Sequence, residues 1–303
     1  MKRFFAILAA VFMLASGMLC VSAEESAETS IDTESQLYKK CVLFAGDSIC
    51  EASNEWGSAT VGWAGRIMQW NAMRGFNVGK SGASISTVRG ANTVISQLQR
   101  QQKNALEFDF VIMHGGVNDA WDSAPVGVMT EGFDERFDTT TFAGGLEATF
   151  KYAKETFVNA KYGYIINFRQ PLATKYGRLS DMSEYVEVAK QICDKWGIDY
   201  LDLYNDENLN QNLLKTHTMK YLPDTIHPNT AGYDIISPII NDWMKTVTNE
   251  TAEESLPEST EAVESSESDV ESKGIDADIL VYIVCGVVVV AAIAVVALVL
   301  KTK

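Results

Sequence analysis

The chain has 303 residues, 47% of them hydrophobic, and a formal net charge of −15. That acidity is uneven: residues 250–271 hold nine acids and no base, residues 24–34 hold five and no base, while residues 37–249 carry 24 acids against 20 bases. The foldable middle is nearly balanced and has no basic stripe, which argues against nucleic-acid binding, and the two acidic stretches hold too little apolar content to form a core.

Met1–Ala23 opens with Lys2 and Arg3, continues as an apolar run from Phe4 to Leu19 and ends Val21-Ser22-Ala23, small residues where a signal peptidase reads. This predicts a secretory signal over residues 1–23. Leu19 before Cys20 is too bulky for a lipoprotein site. Residues 24–38 are expected to be an acidic, disordered lead-in to a folded domain at 39–249.

Within that domain short apolar runs alternate with helical periodicity. Val42–Ala45 reads as a strand, Trp63–Met73 as a helix, and a short strand ends at Asn77-Val78. Thr87–Leu106 reads as one helix, with Val88, Val94, Ile95 and Leu98 near one face. Phe108–Met113 is a strand, Thr141–Asn159 a helix, Tyr162–Phe168 a strand, Ser183–Trp196 a helix and Ile198–Leu203 a strand. Asn229–Val247 closes the domain as a helix expected to break or kink near Pro238. Strict alternation of this kind means βαβ units and a parallel sheet covered on both faces. The predicted fold is a three-layer α/β/α sandwich on a five-stranded parallel sheet, doubly wound.

Beyond the domain, residues 250–278 read as an acidic linker rich in Ser and Glu. Ile279–Leu300 is uncharged, with Asp276 and Asp278 before it and Lys301 and Lys303 after. At about 1.5 Å per residue, a helix of that length spans a hydrocarbon core. Its basic end, residues 301–303, is expected in the cytoplasm. Signal and span together predict a secreted, membrane-anchored protein with its bulk outside, an arrangement suited to a Gram-positive bacterial surface.

Outside signal and span the cysteines are Cys41, Cys50 and Cys193. An odd count with no reachable pair predicts free thiols, and neither cysteines nor histidines show metal-site spacing. No metal and no cofactor are expected.

In doubly wound sheets ligands lie beyond the carboxyl ends of the strands, where strand order reverses. The residues that follow each predicted strand are therefore informative. They are Gly46-Asp47-Ser48, Asn77 to Gly82, His114 to Asp119, Asn167 to Pro171, and, before the last helix, Asp224-Thr225-Ile226-His227-Pro228. A serine nucleophile needs a base, normally histidine, itself oriented by a carboxylate. Of the three histidines, His217 lies in a polar surface stretch and His114 at a strand end in a structural setting. His227 shares one short loop with Asp224. Developing negative charge would need donors, which Ser48, Gly82 and the Asn118 amide can offer. Each of these has a bland turn-forming role when taken singly.

Taken together, Gly46-Asp47-Ser48, Gly82 within Asn77-x-x-x-x-Gly82, Gly116-x-Asn118-Asp119 and Asp224-x-x-His227-Pro228 resemble the four blocks of the SGNH (GDSL-type) hydrolases. The resemblance covers roughly residues 40–247. It implies a flavodoxin-like sandwich in which Ser48 is the nucleophile, His227 the base and Asp224 its orienting acid. Ser48, Gly82 and Asn118 would form the oxyanion hole, and Asp47 and Asp119 would stabilise the loops. Two departures stand out. Ile49, Cys50 and Glu51 follow the serine where the block often has leucine and soon a glycine. The Gly-x-Ser-x-Gly elbow of larger α/β hydrolases is missing, because Cys50 occupies its second glycine position.

For the substrate, Trp56 and Trp121 are candidate rim residues, whereas Trp63 and Trp70 read as helix core. Arg169 would either contact a polar or anionic substrate group or pair with a loop carboxylate. A tethered surface enzyme suits polymers too large to import, so the expected activity is a serine esterase removing acetyl or other small acyl groups from carbohydrate. A lysophospholipase or thioesterase, acyl transfer to a sugar, and a non-catalytic binding module on the same scaffold remain open alternatives.

Overall fold

The structure, a computed structural model, describes residues 31–52, 61–102, 107–170, 182–214 and 218–248. The predicted signal, acidic linker and membrane span lie outside these residues, and among the described residues no helix is long and apolar enough to cross a membrane. Of the predicted N-terminal lead-in, residues 31–38 are described. They form turns and bury Leu37 in the core.

Strand β1 (Cys41–Gly46) is buried along its whole length, and so is β3 (Phe110–Gly115). Both are continuous apolar runs, the pattern of strands covered on two faces. With β2 (Arg74–Asn77), β4 (Lys161–Ile166) and β5 (Asp199–Asp202) they form one parallel sheet in the order β2-β1-β3-β4-β5. The chain leaves β1 in one direction to build β2 and returns on the other side to build β3. The strand order therefore reverses between β1 and β3, which opens a crevice at their carboxyl ends.

Helix α1 (Ser48–Glu51) is a single turn directly after β1, and α2 (Trp63–Trp70) follows. Next come α3 (Val94–Gln101), α4 (Val117–Trp121), α5 (Phe142–Thr156) and α6 (Ser183–Trp196). The short α7 (Glu207–Leu214) and α8 (Thr218–Tyr221) precede α9 (Thr230–Met244). Helices α2 and α9 pack together on one face, and α3, α5 and α6 line the other. The three-layer α/β/α sandwich predicted from the alternation of elements is the fold found.

One element differs from expectation, and a second does so in that it is not broken. The single helix predicted over Thr87–Leu106 is instead a 3-10 turn at Thr87–Arg89 followed by α3. Gly90, at φ +67°, ends the first piece, and Thr93 starts the second with a reciprocal capping box to Ser96. The last helix runs without interruption through Pro238. Proline removes the bond to the carbonyl of Asp234, but both residues are exposed, so water can take that carbonyl. The neighbouring Ser237 hydroxyl donates to the Tyr233 carbonyl at 2.6 Å. The cysteines match expectation: Cys41, Cys50 and Cys193 are free and buried.

One long connection, between α4 and α5, is held by a buried ion pair. Lys195 Nζ on α6 donates to Glu147 Oε1 on α5 at 2.6 Å, to the Thr130 carbonyl at 2.8 Å and to the Gly132 carbonyl at 2.7 Å. Glu147 also accepts from the Thr130 backbone at 2.9 Å and from Trp196 Nε1 at 3.3 Å, and it is fully buried. Taking away one partner strands the other charge out of water. Lys195→Met is expected to lower unfolding free energy by about 3–5 kcal/mol, read as a drop in the urea midpoint at constant slope. An unchanged midpoint would show that the pair does not hold this connection.

Candidate active site

The exit from β1 is built tightly. A Cβ on Gly46 would lie 2.6 Å from the His114 carbonyl oxygen and 2.7 Å from Cys50 Cβ, so only glycine fits beside β3 and under α1. The Gln97 side chain on α3, fully buried, clamps both backbone groups of Gly46. Its Oε1 accepts from Gly46 N–H and its Nε2 donates to the Gly46 carbonyl, each at 2.8 Å. Asp47 then caps α1, accepting the Ile49 N–H at 2.9 Å. From the α9 side the buried Tyr233 hydroxyl donates to the Ile49 carbonyl at 2.9 Å, and burial pushes that phenol's pKa up. Ser48 is thus the first helical residue of a turn that is fixed from below, from one side and from above.

The serine meets a histidine from the far end of the domain. Ser48 Oγ lies 2.7 Å from His227 Nε2, and His227 Nδ1 lies 2.5 Å from Asp224 Oδ2. The second oxygen of Asp224, Oδ1, accepts the backbone N–H groups of Ile226 at 2.9 Å and His227 at 2.7 Å. The four-residue loop therefore folds around its own carboxylate. Burial raises the Asp224 carboxyl's pKa, but the hydrogen bonds from the His227 side chain, from its backbone and from Ile226 outweigh it and hold the group below its ordinary 3.8. An ionised Asp224 accepts a hydrogen bond from Nδ1–H, which keeps the proton on Nδ1 and leaves Nε2 as the acceptor facing Ser48.

Around Ser48 and His227 lies a cleft of ≈ 230 Å³ lined also by Ser81, Gly82, Arg89 and Asn118, with Val117, Trp121 and Ile226 as its apolar wall. Gly82 has φ +75°, a conformation that favours glycine, and sits in a turn closed by the Ala83 N–H on the Lys80 carbonyl at 3.0 Å. The N–H groups of Ser48 and Gly82 have no hydrogen-bond partner among the described residues. Asn118 Nδ2 donates to the Ala83 carbonyl at 2.7 Å, and Arg89 Nη1 donates to Asn118 Oδ1 at 2.7 Å. Asp119, fully buried, accepts the N–H groups of Ile85 and Ser86, both at 2.8 Å, and so ties the loop after Gly82 to α4; burial raises its carboxyl's pKa.

Ser48, Gly82, Asn118, Asp224 and His227, predicted from four separate stretches, thus meet at one place beside the strand-order reversal, and Trp121 joins them in the cleft wall. Arg169 does not line the cleft among the described residues. It pairs with Glu207 at 3.0 Å and lies 5.4 Å over the Tyr204 ring. Trp56 and His217 lie outside the described residues. His114 is buried edge-on against Trp63 at 5.9 Å, and burial lowers its pKa. Sequence reasoning missed Gln97 and Arg89. A glutamine beside Val94 and Leu98 on the buried side of α3 was the available signal for the first; Arg89 left none, because the helix predicted there hid its turn.

A Ser-His-Asp relay on a doubly wound α/β/α sandwich defines the class of protein. The chain matches the model of the GDSL-like lipase/acylhydrolase family over residues 44–235 and belongs to that family. No curated protein matches it. Among solved structures it is similar to a Lactobacillus plantarum protein, 23% identical with a TM-score of 0.58 over 69% of this chain and 98% of that one. It is also similar to a possible lipase from Chitinophaga pinensis, 16% identical with a TM-score of 0.53 over 68% of this chain and 98% of that one. An acetyl xylan esterase from Geobacillus stearothermophilus is 21% identical with a TM-score of 0.47 over 68% and 95% of the respective chains.

Proposed function

We propose that the protein is a serine esterase that works through an acyl-enzyme, with Ser48, His227 and Asp224 as its catalytic groups and small acyl esters of carbohydrate as its substrates. The observation that carries the reading is the unbroken relay of 2.7 Å and 2.5 Å contacts from Ser48 through His227 to Asp224, opening on the cleft. Ser48 Oγ attacks the ester carbonyl as its proton passes to Nε2, and ionised Asp224 stabilises the imidazolium. The carbonyl oxygen becomes an oxyanion that accepts hydrogen bonds from the Ser48 and Gly82 N–H groups and from the second hydrogen of Asn118 Nδ2. His227 then returns its proton to the departing alcohol. Water, deprotonated by the same histidine, attacks the acyl-enzyme and releases the acid and free Ser48.

The small cleft with an apolar wall of Val117, Trp121 and Ile226 supports a short acyl chain. The signal-like residues 1–23 and the uncharged run 279–300 support export and anchoring, with the domain facing polymers outside the cell. Across p-nitrophenyl acetate, butyrate, octanoate and palmitate, kcat/KM is expected to be highest for acetate or butyrate and at least about tenfold lower for octanoate, because a longer chain leaves the cleft's apolar wall. Acetate release from acetylated xylan or peptidoglycan would then identify the polymer. A preference for palmitate would overturn the short-acyl assignment in favour of a lysophospholipase or thioesterase.

A further inference from the structure

We infer that Arg89 is a positioning residue of the oxyanion site, acting through Asn118; this rests on the esterase reading above. The Asn118 amide is held at both ends by partners of fixed polarity. Arg89 Nη1 donates to its Oδ1 at 2.7 Å, and its Nδ2 donates to the Ala83 carbonyl at 2.7 Å. A guanidinium only donates and a carbonyl only accepts, so the amide has one orientation, with the nitrogen end turned away from Arg89. One Nδ2 hydrogen is committed to Ala83 and the other is left for the cleft, which Asn118 and Arg89 both line with Ser48 and Gly82.

Arg89 is itself aimed. Its Nε pairs with Asp122, four residues beyond Asn118 at the end of α4, so the guanidinium bridges the two ends of that helix. Its Nη1 also lies 3.3 Å from the point a Cβ on Gly82 would occupy. One cation therefore borders two of the three proposed donors. A positive group on the oxygen end of an amide draws electron density toward that oxygen and makes the N–H at the other end a stronger donor. The dipole is in place before negative charge develops on the substrate, the condition under which electrostatic stabilisation of a transition state is most effective. An arginine that served only as a surface partner of Asp122 would have no reason to reach Asn118.

A double-variant cycle with p-nitrophenyl acetate tests this, using wild type, Ser48→Ala, Arg89→Ala, Asn118→Ala and the Arg89→Ala/Asn118→Ala pair. Arg89→Ala is expected to lower kcat by about 10- to 100-fold, less than loss of a donor itself, with KM within about twofold of wild type. In the Asn118→Ala background the same change should have no further effect beyond about twofold, because the residue it acts through is gone. Guanidinium chloride at tens of millimolar should restore part of kcat to Arg89→Ala and none to the double variant. Arg89→Lys, which keeps the charge but not the fork that reaches Asn118 and Asp122 together, should fall between wild type and alanine. It carries the same cycle if the alanine variant does not fold. Wild-type kcat in the Arg89 variants, or losses that multiply in the double variant, would overturn the inference. Absence of Ser48-dependent turnover in wild type would instead remove the esterase reading, and this inference with it.

Discussion

Ser48→Ala is expected to lower kcat for p-nitrophenyl acetate by about 10⁴-fold or more and to abolish labelling by a fluorophosphonate, with the thermal midpoint nearly unchanged. The size follows from what is lost. His227 keeps its bond to Asp224, and the donors at Gly82 and Asn118 stay in place, but no atom remains at the 2.7 Å position from Nε2 to carry the acyl group. What survives is the catalysis available from binding and the oxyanion site alone. Stability should move little, because Ser48 is 8% exposed and its hydroxyl makes one side-chain bond, worth about 1 kcal/mol. That separation makes the variant informative. Full turnover in Ser48→Ala would eliminate the acyl-enzyme mechanism, and well-folded wild type with neither turnover nor labelling would favour a binding module on this scaffold.

The order of the fold was legible because it rests on hydrophobic pattern alone. Val42–Ala45 and Phe110–Met113 are apolar without alternation and too short for a helix, which together point to a strand buried on both faces. The site was legible for a related reason. Its parts sit at chain-order positions where βαβ geometry must deliver them, directly after β1 and β3 and before α9. Asp224 and His227 were the easiest pair, since a carboxylate that accepts the N–H groups two and three residues on places an imidazole beside itself by local folding. Arg89 was hidden because propensity does not resolve how a helix starts. Gly90 and Thr93 together split the predicted helix, and only the split lets the residue before the glycine turn toward Asn118. Arg169 had two readings in the sequence, and its partner Glu207 comes from the start of α7, a short helix whose buried apolar pair, Leu209 and Leu213, is too brief a pattern to place Glu207 beside Arg169. Gln97 illustrates a third limit. Its place on the buried side of α3 was readable, but the strand-end backbone it satisfies is known only once α3 is docked beside β1.

Asp224→Asn should lower kcat by about 10³- to 10⁴-fold while leaving the loop folded, because the two oxygens of Asp224 do different work. Oδ1 receives two backbone N–H groups, so in the variant the single amide oxygen is drawn to that side. The NH2 group then faces His227 Nδ1. A donor there stabilises the tautomer with its proton on Nε2, which can no longer accept from Ser48, and the nucleophile loses its base. The reverse placement would restore the tautomer but set an NH2 group against two N–H donors, a buried clash of like polarity. The pH response separates this from simple unfolding. The wild-type carboxyl titrates below its ordinary 3.8, so its contribution to stability is complete above 3.8 and is lost as pH falls through the depressed value. Asparagine has no such titration, so the variant's urea midpoint should fall less steeply than that of wild type between about pH 4 and 2, while at pH 7 the variant is folded and slow. Wild-type activity in Asp224→Asn would remove Asp224 from the relay. A large loss of folding at pH 7 would mean that the carboxylate serves the loop more than the histidine.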